Sequence, residues 1–252
     1  MIKLDIIKDV LVFLLVYIPP LIIFARFWRE KNRSTIILIV ITLFYIVGSM
    51  FTQNLLPFIL VAFDIRYIKA SGMYITNETI QYKRTISNRL KFDCERFKFG
   101  GKNFNVLFAL KFAAISYIIS MFIFIIETML LLKVKVQLPE QEVVYWMTNM
   151  PLRKFIIIIP VIIIFAPVVE EFVFRWLFFE KIFKDRIGIY LAALLSSLIF
   201  GFAHFNLMSF PILVWIGIYN CYLIDKKGYW YSVFNHFTFN FMTTIALLID
   251  KI

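Results

Sequence analysis

Histidine occurs only twice in this chain of 252 residues, and both histidines lie inside long apolar segments. His204 follows Leu-Ile-Phe-Gly-Phe-Ala, and His236 stands within Phe-Asn-His-Phe-Thr-Phe-Asn. A third apolar segment carries the adjacent carboxylates Glu170 and Glu171, with Arg175 four residues after the second. Placing an ionisable side chain in the centre of a bilayer costs about 2.5–3.5 kcal/mol on insertion scales. We therefore expect these groups to act together at one site.

The two glutamates differ in the partners that their positions give them. Residues four apart meet on one face of a helix, so Glu171 and Arg175 are predicted to neutralise each other. Glu170 is turned by about 100° from Glu171 and is left facing a cavity. A purely structural clamp of Glu171 with Arg175 is the alternative. That clamp leaves Glu170 unexplained, and carboxylates within membranes are functional by default.

A proline precedes the glutamates in the same segment. Pro167 cannot donate a helical hydrogen bond, and it disfavours a helical conformation for Ala166. The sequence therefore predicts a kink or a helix start there, with both glutamates in the first turn after it.

These side chains match the requirements of amide hydrolysis. A base must activate a water, and prepositioned donors must meet the developing oxyanion. Glu170 is the predicted base, and His204 is predicted to share or orient the attacking water. His236 and Asn240, four residues apart, are predicted to stabilise the oxyanion. Either histidine alone is better explained as a hydrogen bond between helices, but together with Glu170 they favour catalysis.

Three motifs, in order and on separate predicted helices, resemble those of the CPBP family. That family comprises CAAX-prenyl endopeptidases, among them the Ras-converting CAAX protease, and bacteriocin-processing or Abi proteins. The motifs read Glu170-Glu171-Phe-Val-Phe-Arg175, Phe200-Gly-Phe-Ala-His204 and His236-Phe-Thr-Phe-Asn240. The resemblance covers roughly residues 150–250 and implies an integral-membrane endopeptidase with a glutamate-activated water. The implied roles are those given above, with Glu171 and Arg175 supporting.

Zinc is the mechanistic alternative. Glu170, His204 and His236 would form a His₂Glu set, which suits catalytic zinc. The chain has no His-Glu-x-x-His motif, and a glutamate bound to a metal would no longer be free to act as a base. We therefore predict a site without a metal or another cofactor.

Composition places these segments in a membrane. Apolar residues make up 62% of the chain, above the ~45–50% of soluble domains, and they form continuous runs. Transmembrane β-barrels show alternating polarity instead. We predict an all-α, polytopic transmembrane bundle of about eight helices, or seven if Pro57 makes the short third segment re-entrant. The predicted spans are 10–27, 34–50, 53–66, 104–132, 155–180, 188–205, 209–224 and 229–249.

The basic residues predict the orientation. Of the 27 Lys and Arg residues, 18 fall in four of the predicted loops, which are 26–33, 64–103, 180–187 and 225–228. The positive-inside rule places these loops in the cytoplasm. The net charge of +11 therefore indicates orientation and contact with anionic headgroups, and we predict no nucleic-acid partner.

Two regions are predicted, residues 1–103 and residues 104–252. The first contains N-terminal membrane helices and the basic loop 64–103, and the second is the catalytic bundle. Alternating polarity over residues 72–84 of the loop suggests a short β-hairpin. Residues 89–99 mix basic residues with Phe and are interpreted as a connector, with contact to the membrane surface as the alternative.

The predicted function is hydrolysis of a peptide bond in a membrane-associated peptide or a membrane-anchored protein. The richness in Ile, Lys, Phe and Asn resembles low-GC bacterial proteins, in which protein prenylation is not expected. Peptide processing or bacteriocin-type immunity in the bacterial cytoplasmic membrane is therefore favoured, by analogy. The alternative is a non-proteolytic membrane scaffold or regulator that keeps the motif as a structural polar network. A small transporter is a third hypothesis, disfavoured because paired inverted broken helices are lacking.

Overall fold

The computed structural model describes residues 2–73, 93–101, 104–139 and 141–251, and every regular element in these ranges is helical. The predicted all-α bundle is therefore confirmed. A helical turn at Asp93–Arg96 lies between the third and fourth long helices. The helices are α1 (Ile2–Glu30), α2 (Thr35–Thr52), α3 (Leu55–Met73), α4 (Val106–Val134), α5 (Glu142–Asn149), α6 (Leu152–Ile187), α7 (Ile189–Phe202), α8 (Phe210–Lys226) and α9 (Tyr229–Ile249).

Five of the described helices are long and apolar enough to cross a membrane. They are Ile6–Glu30 of α1, α2, α4, α6 and α9. Helices α3, α7 and α8 are shorter or more charged, and each coincides with one of the eight predicted segments. Large apolar side chains point outward from the bundle, for example Phe51 at 83% exposed. Such a surface suits lipid tails rather than water, and the chain is a multi-pass membrane protein.

Helix α3 is longer than the sequence pattern indicates. Pro57 lies in its first turn, where the missing N–H has no helical partner to lose, so the helix runs unbroken to Met73. Val61, Ile65 and Ile68 lie on one buried face beyond the proline. Residues 64–73 are therefore helical rather than part of the basic loop. The predicted hairpin lies, from residue 74 onward, outside the described residues.

Helix α6 departs twice from α-helical geometry, with π-helical segments at Val161–Phe165 and Glu171–Phe183. The chain stays helical through Pro167, so no new helix starts there. In place of the predicted kink or helix start, the first π-helical segment lies directly before the proline. Ala166 donates its N–H to the carbonyl of Val161, five residues back. The carbonyl of Ile162 then has no backbone donor at either the α or the π position, because Pro167 lacks an N–H.

Residues 93–101, here called the strap, fold back onto the cytoplasmic ends predicted for the C-terminal helices. Phe97 and Phe99 are 1% and 0% exposed. The Phe97 carbonyl accepts from the Tyr229 N–H at 2.8 Å, and the Phe99 carbonyl accepts from Trp230 Nε1 at 2.9 Å. The alternative of contact with the membrane surface is therefore wrong for these two phenylalanines, which insert into the bundle instead.

Ion pairs fix the strap to the ends of α6 and α8. Arg96 lies 3.2 Å from Glu180 and 3.4 Å from Asp225, measured from guanidinium nitrogen to carboxylate oxygen. Asp93 pairs with Lys181. Burial raises the pKa of the Asp93 carboxyl above its usual range, and the Lys181 ammonium acts in the opposite direction. The strap and these helix ends therefore belong to one side of the bundle, as the charge distribution predicts.

One buried cluster joins both halves of the chain. It takes in Val61 and Ile68 of α3, Phe97 of the strap, and Val169 and Phe172 of α6. Helix α3 contacts the segment of α6 that ends at the first glutamate. The division at residue 103 stays a prediction, but the N-terminal helices form one wall of the bundle that holds the motif residues.

Candidate active site

Three helices bring the motif residues together. Helix α6 carries Glu170 and Glu171, α9 carries His236, and His204 follows directly after the end of α7. Helix α6 packs against both α7 and α9. Residues far apart in sequence therefore converge on the middle of α6.

Glu171 is the centre of a buried polar network. Its side chain is fully buried, and its Oε1 lies 2.8 Å from Nδ1 of His236. Its Oε2 lies 3.2 Å from Nε of Arg175 and accepts a hydrogen bond from the Ser232 hydroxyl. The pair expected from the i, i+4 spacing is thus present, but Glu171 also binds α9 at two places. It joins α6 to α9 as well as neutralising Arg175.

Ser232 did not emerge from the sequence reasoning. It lies four residues before His236, so both side chains share one face of α9. That spacing is the same signal that pairs Glu171 with Arg175, and it was available in the sequence.

The contact with Glu171 fixes the proton on His236. A carboxylate only accepts hydrogen bonds, so Nδ1 of His236 must donate to Glu171. Nε2 is then the nitrogen left for chemistry, and it lies 3.7 Å from Oε2 of Glu170. The Glu170 side chain is 16% exposed, and its Oε2 has no hydrogen-bond partner among the described residues. Glu170 is therefore the glutamate left without a fixed partner, as its position on the helix predicts.

The ring of Phe200 connects the charged groups. It lies edge-on to His204 and to His236, with centroid distances of 4.7 and 5.6 Å. The guanidinium carbon of Arg175 lies 4.1 Å from the centre of the same ring. A cation over an aromatic face gains about 2 kcal/mol or more when desolvated. The sequence identified Phe200 only as a motif position, and its contact with Arg175 depends on how α6 and α7 pack.

His204 is oriented by its own helix. Its Nδ1 lies 2.8 Å from the carbonyl of Phe200. Because a carbonyl accepts, Nδ1 donates, and Nε2 has no hydrogen-bond partner among the described residues. The residue is partly exposed. The structure thus places His204 against the ring of Phe200, and the same ring also contacts His236.

Asn240 has a backbone partner. Its Nδ2 donates to the carbonyl of Ile162 at 2.9 Å. This is the carbonyl that the π-helical segment and Pro167 leave without a backbone donor, and an unpaired carbonyl in a membrane costs several kcal/mol. An amide nitrogen carries two hydrogens, so one remains available. Sequence reasoning assigned Asn240 to an oxyanion and missed this second task.

The zinc alternative requires three ligands grouped around one point. No group of three or more His, Cys, Asp and Glu side chains in the described part of the chain is arranged to hold a metal ion. Glu170, His204 and His236 therefore do not form the His₂Glu ligand set in this arrangement.

Comparison with known proteins identifies the region that contains the site. Residues 152–242 match the family of Type II CAAX prenyl endopeptidase Rce1-like proteins. No curated protein and no solved structure matches the chain. The matched region begins with α6 and includes all three motifs, and the resemblance drawn from those motifs is confirmed. The part of the chain that carries the candidate site, residues 152–242, is therefore similar to Rce1-like CAAX prenyl endopeptidases.

Proposed function

We propose that this chain is an intramembrane endopeptidase that hydrolyses a peptide bond of a membrane-associated peptide or protein by means of a water activated by Glu170. The observation that carries the proposal is the arrangement around His236. One nitrogen of this imidazole is held by Glu171 at 2.8 Å, and the other lies 3.7 Å from the unpartnered oxygen of Glu170.

Glu170 is the base. Hydrogen bonds of about 2.8 Å allow one water to contact both Glu170 Oε2 and His236 Nε2, because these atoms are 3.7 Å apart. A positioned base contributes about 10²–10⁴-fold to such a reaction. Glu171 cannot take this role, since both of its oxygens already have partners.

His236 and Asn240 form the oxyanion site. In its imidazolium form His236 donates from both nitrogens, and the two carboxylates Glu170 and Glu171 together then balance the charges of His236 and Arg175. Asn240 contributes the amide hydrogen that Ile162 does not use. Prepositioned donors of this kind are worth about 2.7–4 kcal/mol each when removed. His204 shares or orients the attacking water through its free Nε2.

The reaction balances without a further reagent. Glu170 takes a proton from the water as the water oxygen bonds to the carbonyl carbon of the scissile peptide. The carbonyl oxygen becomes the oxyanion that His236 and Asn240 stabilise. Protonated Glu170 then gives its proton to the peptide nitrogen as the carbon–nitrogen bond breaks, which leaves a carboxylic acid and an amine and restores the site.

The finer assignment is peptide processing or bacteriocin-type immunity in a bacterial cytoplasmic membrane. It rests on the amino-acid usage of the chain, which is rich in Ile, Lys, Phe and Asn. A bacterial cell that lacks prenylated proteins would supply an unprenylated peptide or a membrane-anchored protein as the substrate.

The test compares two glutamate variants in cells. Glu170→Gln should abolish a cleavage product in peptide profiles while the protein accumulates normally. Glu127→Gln is the matched control, because Glu127 is another carboxylate on a membrane helix, α4, outside the site. The proposal is refuted if the peptide profile of Glu170→Gln cells equals that of cells with the unaltered chain.

A non-proteolytic scaffold is the second candidate, and one observation favours it. Glu171, Arg175, Ser232 and His236 are all buried, and Glu171 contacts each of the other three, an arrangement that also suits a structural bond between α6 and α9. A scaffold would need the Glu171 network but not Glu170. If cells that lack the protein show a phenotype, failure of Glu171→Gln to rescue it together with rescue by Glu170→Gln would select the scaffold.

A further inference from the structure

A separate cavity of about 330 Å³ lies between the end of α1, the residues after it and the second half of α3. Its charged lining residues are Lys31, Arg33, Arg66 and Asp64. The sequence places both lining segments at the cytoplasmic side, because they contain the basic stretches 26–33 and 64–69. None of these residues takes part in the proposed reaction.

The three cations of the cavity have no carboxylate partner in the part of the chain that the structure describes. Lys31 lies over the ring of Tyr67 at 4.5 Å, and Arg33 lies over the ring of Trp28 at 4.9 Å. Among the described residues, no Asp or Glu forms an ion pair with Lys31, Arg33 or Arg66. All three side chains are exposed. Basic side chains at a membrane surface attract anionic lipid groups, and a phosphate is the ligand that such a set fits.

Asp64 is the unusual member of the lining. It is 0% exposed, and neither carboxylate oxygen has a hydrogen-bond partner in the described part of the chain. A buried carboxylate without a partner is costly, and its charge opposes a simple anion in the same cavity. A ligand that brings a hydrogen-bonding cation together with a phosphate removes both difficulties.

Aromatic rings complete the cavity. Phe24, Phe27, Trp28, Phe63 and Tyr67 line it, and Phe27 stacks on Tyr67 with a centroid distance of 4.4 Å. Aromatic rings at the ends of membrane helices lie at the level of the headgroups. They also accept alkyl and ammonium groups through their faces.

We propose that this cavity binds the headgroup of an aminophospholipid, with the phosphate at Lys31, Arg33 and Arg66 and the ammonium at Asp64. Phosphatidylethanolamine carries both groups. Phosphatidylglycerol lacks the amine, and the choline group of phosphatidylcholine cannot donate a hydrogen bond to a carboxylate. The site therefore selects the primary amine, and it does so without using any residue of the proposed active site.

The first test uses the unaltered full-length protein. It is released for native mass spectrometry from nanodiscs that contain phosphatidylethanolamine, phosphatidylglycerol and phosphatidylcholine in equal parts. We expect phosphatidylethanolamine to be retained about tenfold over each of the others, the factor for one hydrogen bond to a charged group. Equal retention of the three lipids, or retention of none, overturns the proposal whether or not any variant folds.

Variants assign the two halves of the headgroup. Asp64→Asn should remove the preference for phosphatidylethanolamine over phosphatidylglycerol and leave lipid binding itself. Arg33→Gln with Arg66→Gln should lower retention of every phospholipid. The control removes two exposed cations elsewhere on the cytoplasmic side, Lys98→Gln with Arg186→Gln, and should change neither. A control that loses as much lipid as the Arg33 and Arg66 pair would show general charge attraction and refute the site.

A competition experiment separates a lipid from a soluble headgroup. Glycerophosphoethanolamine has the same charged groups without acyl chains. In millimolar excess it should leave the retained phosphatidylethanolamine in place, since the lipid also contacts the apolar bundle surface. Complete displacement would identify a soluble phosphoamine as the ligand and overturn the lipid assignment.

Discussion

Replacing Glu171 with Gln should destabilise the whole bundle, whereas replacing Glu170 with Gln should not. Glu171 is fully buried between Arg175 and His236. Gln keeps the shape but turns one acceptor oxygen into an NH₂ donor, which then faces donors on Arg175, Ser232 or His236. It also leaves the buried Arg175 guanidinium without a counter-charge. Removing one partner of a buried ion pair costs about 3–5 kcal/mol.

Glu170 lies one residue earlier, and its replacement should affect cleavage far more than stability. Its Oε2 makes no hydrogen bond within the described residues, and its side chain is 16% exposed. Gln at this position breaks no hydrogen bond of that oxygen and lowers the cost of burying a charge. We expect its effect on the free energy of unfolding to stay within about 0.5 kcal/mol, as for positions away from buried networks. Cleavage should nevertheless fall by about 10²–10⁴-fold.

The assay is unfolding of the purified variants in mixed micelles of increasing SDS content, alongside cleavage in cells. A double variant, Glu171→Gln with Arg175→Met, provides the internal control. It removes both charges, and replacing a buried pair with neutral side chains is often tolerated. It should therefore be more stable than Glu171→Gln alone. Equal stability of Glu170→Gln and Glu171→Gln would refute the reasoning. So would a double variant whose loss of stability equals the sum of the losses in Glu171→Gln and in Arg175→Met alone.

Three further predictions concern the Phe200 ring, the strap and the metal alternative. Phe200→Ala should lower the free energy of unfolding by about 3–5 kcal/mol, because the ring contacts Arg175 and both histidines. Unfolding titrations check this prediction, and a loss below about 1 kcal/mol would contradict it. Gly228→Ala should release the strap, because Gly228 has φ +109° and a Cβ there would lie 2.8 Å from the Phe97 carbonyl. The Tyr229 N–H donates to that carbonyl, so we expect faster amide hydrogen exchange at Tyr229. Unchanged exchange would count against the prediction. A strong chelator should leave cleavage by the purified protein unchanged if Glu170 acts as a base, and a loss restored by zinc would favour the metal mechanism.

The sequence predicts the helices well, because apolar runs and charged loops are strong signals for membrane spans. It also predicts the pairing of Glu171 with Arg175 and the separate state of Glu170, since both follow from residues on one helix. Contacts between helices are harder to foresee. The bond of Asn240 to Ile162 exists only because α6 takes a π-helical turn before Pro167, and a uniform period of 3.6 residues does not show such a turn.

The strap illustrates a different limit. Its Phe residues alternate with basic residues, which is a pattern typical of a membrane-surface segment. Their burial depends on the space that Tyr229 and Trp230 leave at the start of α9, and on carboxylates of α6 and α8 that pair with Arg96. The sequence of the strap alone does not show that distant helices provide this space and these carboxylates.

The joint core has a practical consequence for dissecting the protein. Residues 152–242 share a buried cluster with α1, α3 and the strap. Helices in bilayers associate through close packing of their surfaces rather than through the hydrophobic effect, so an excised fragment would meet lipid tails where it now meets fitted side chains. Grafts and chimeras that aim to transfer the proposed proteolytic activity should therefore include these N-terminal segments together with residues 152–242.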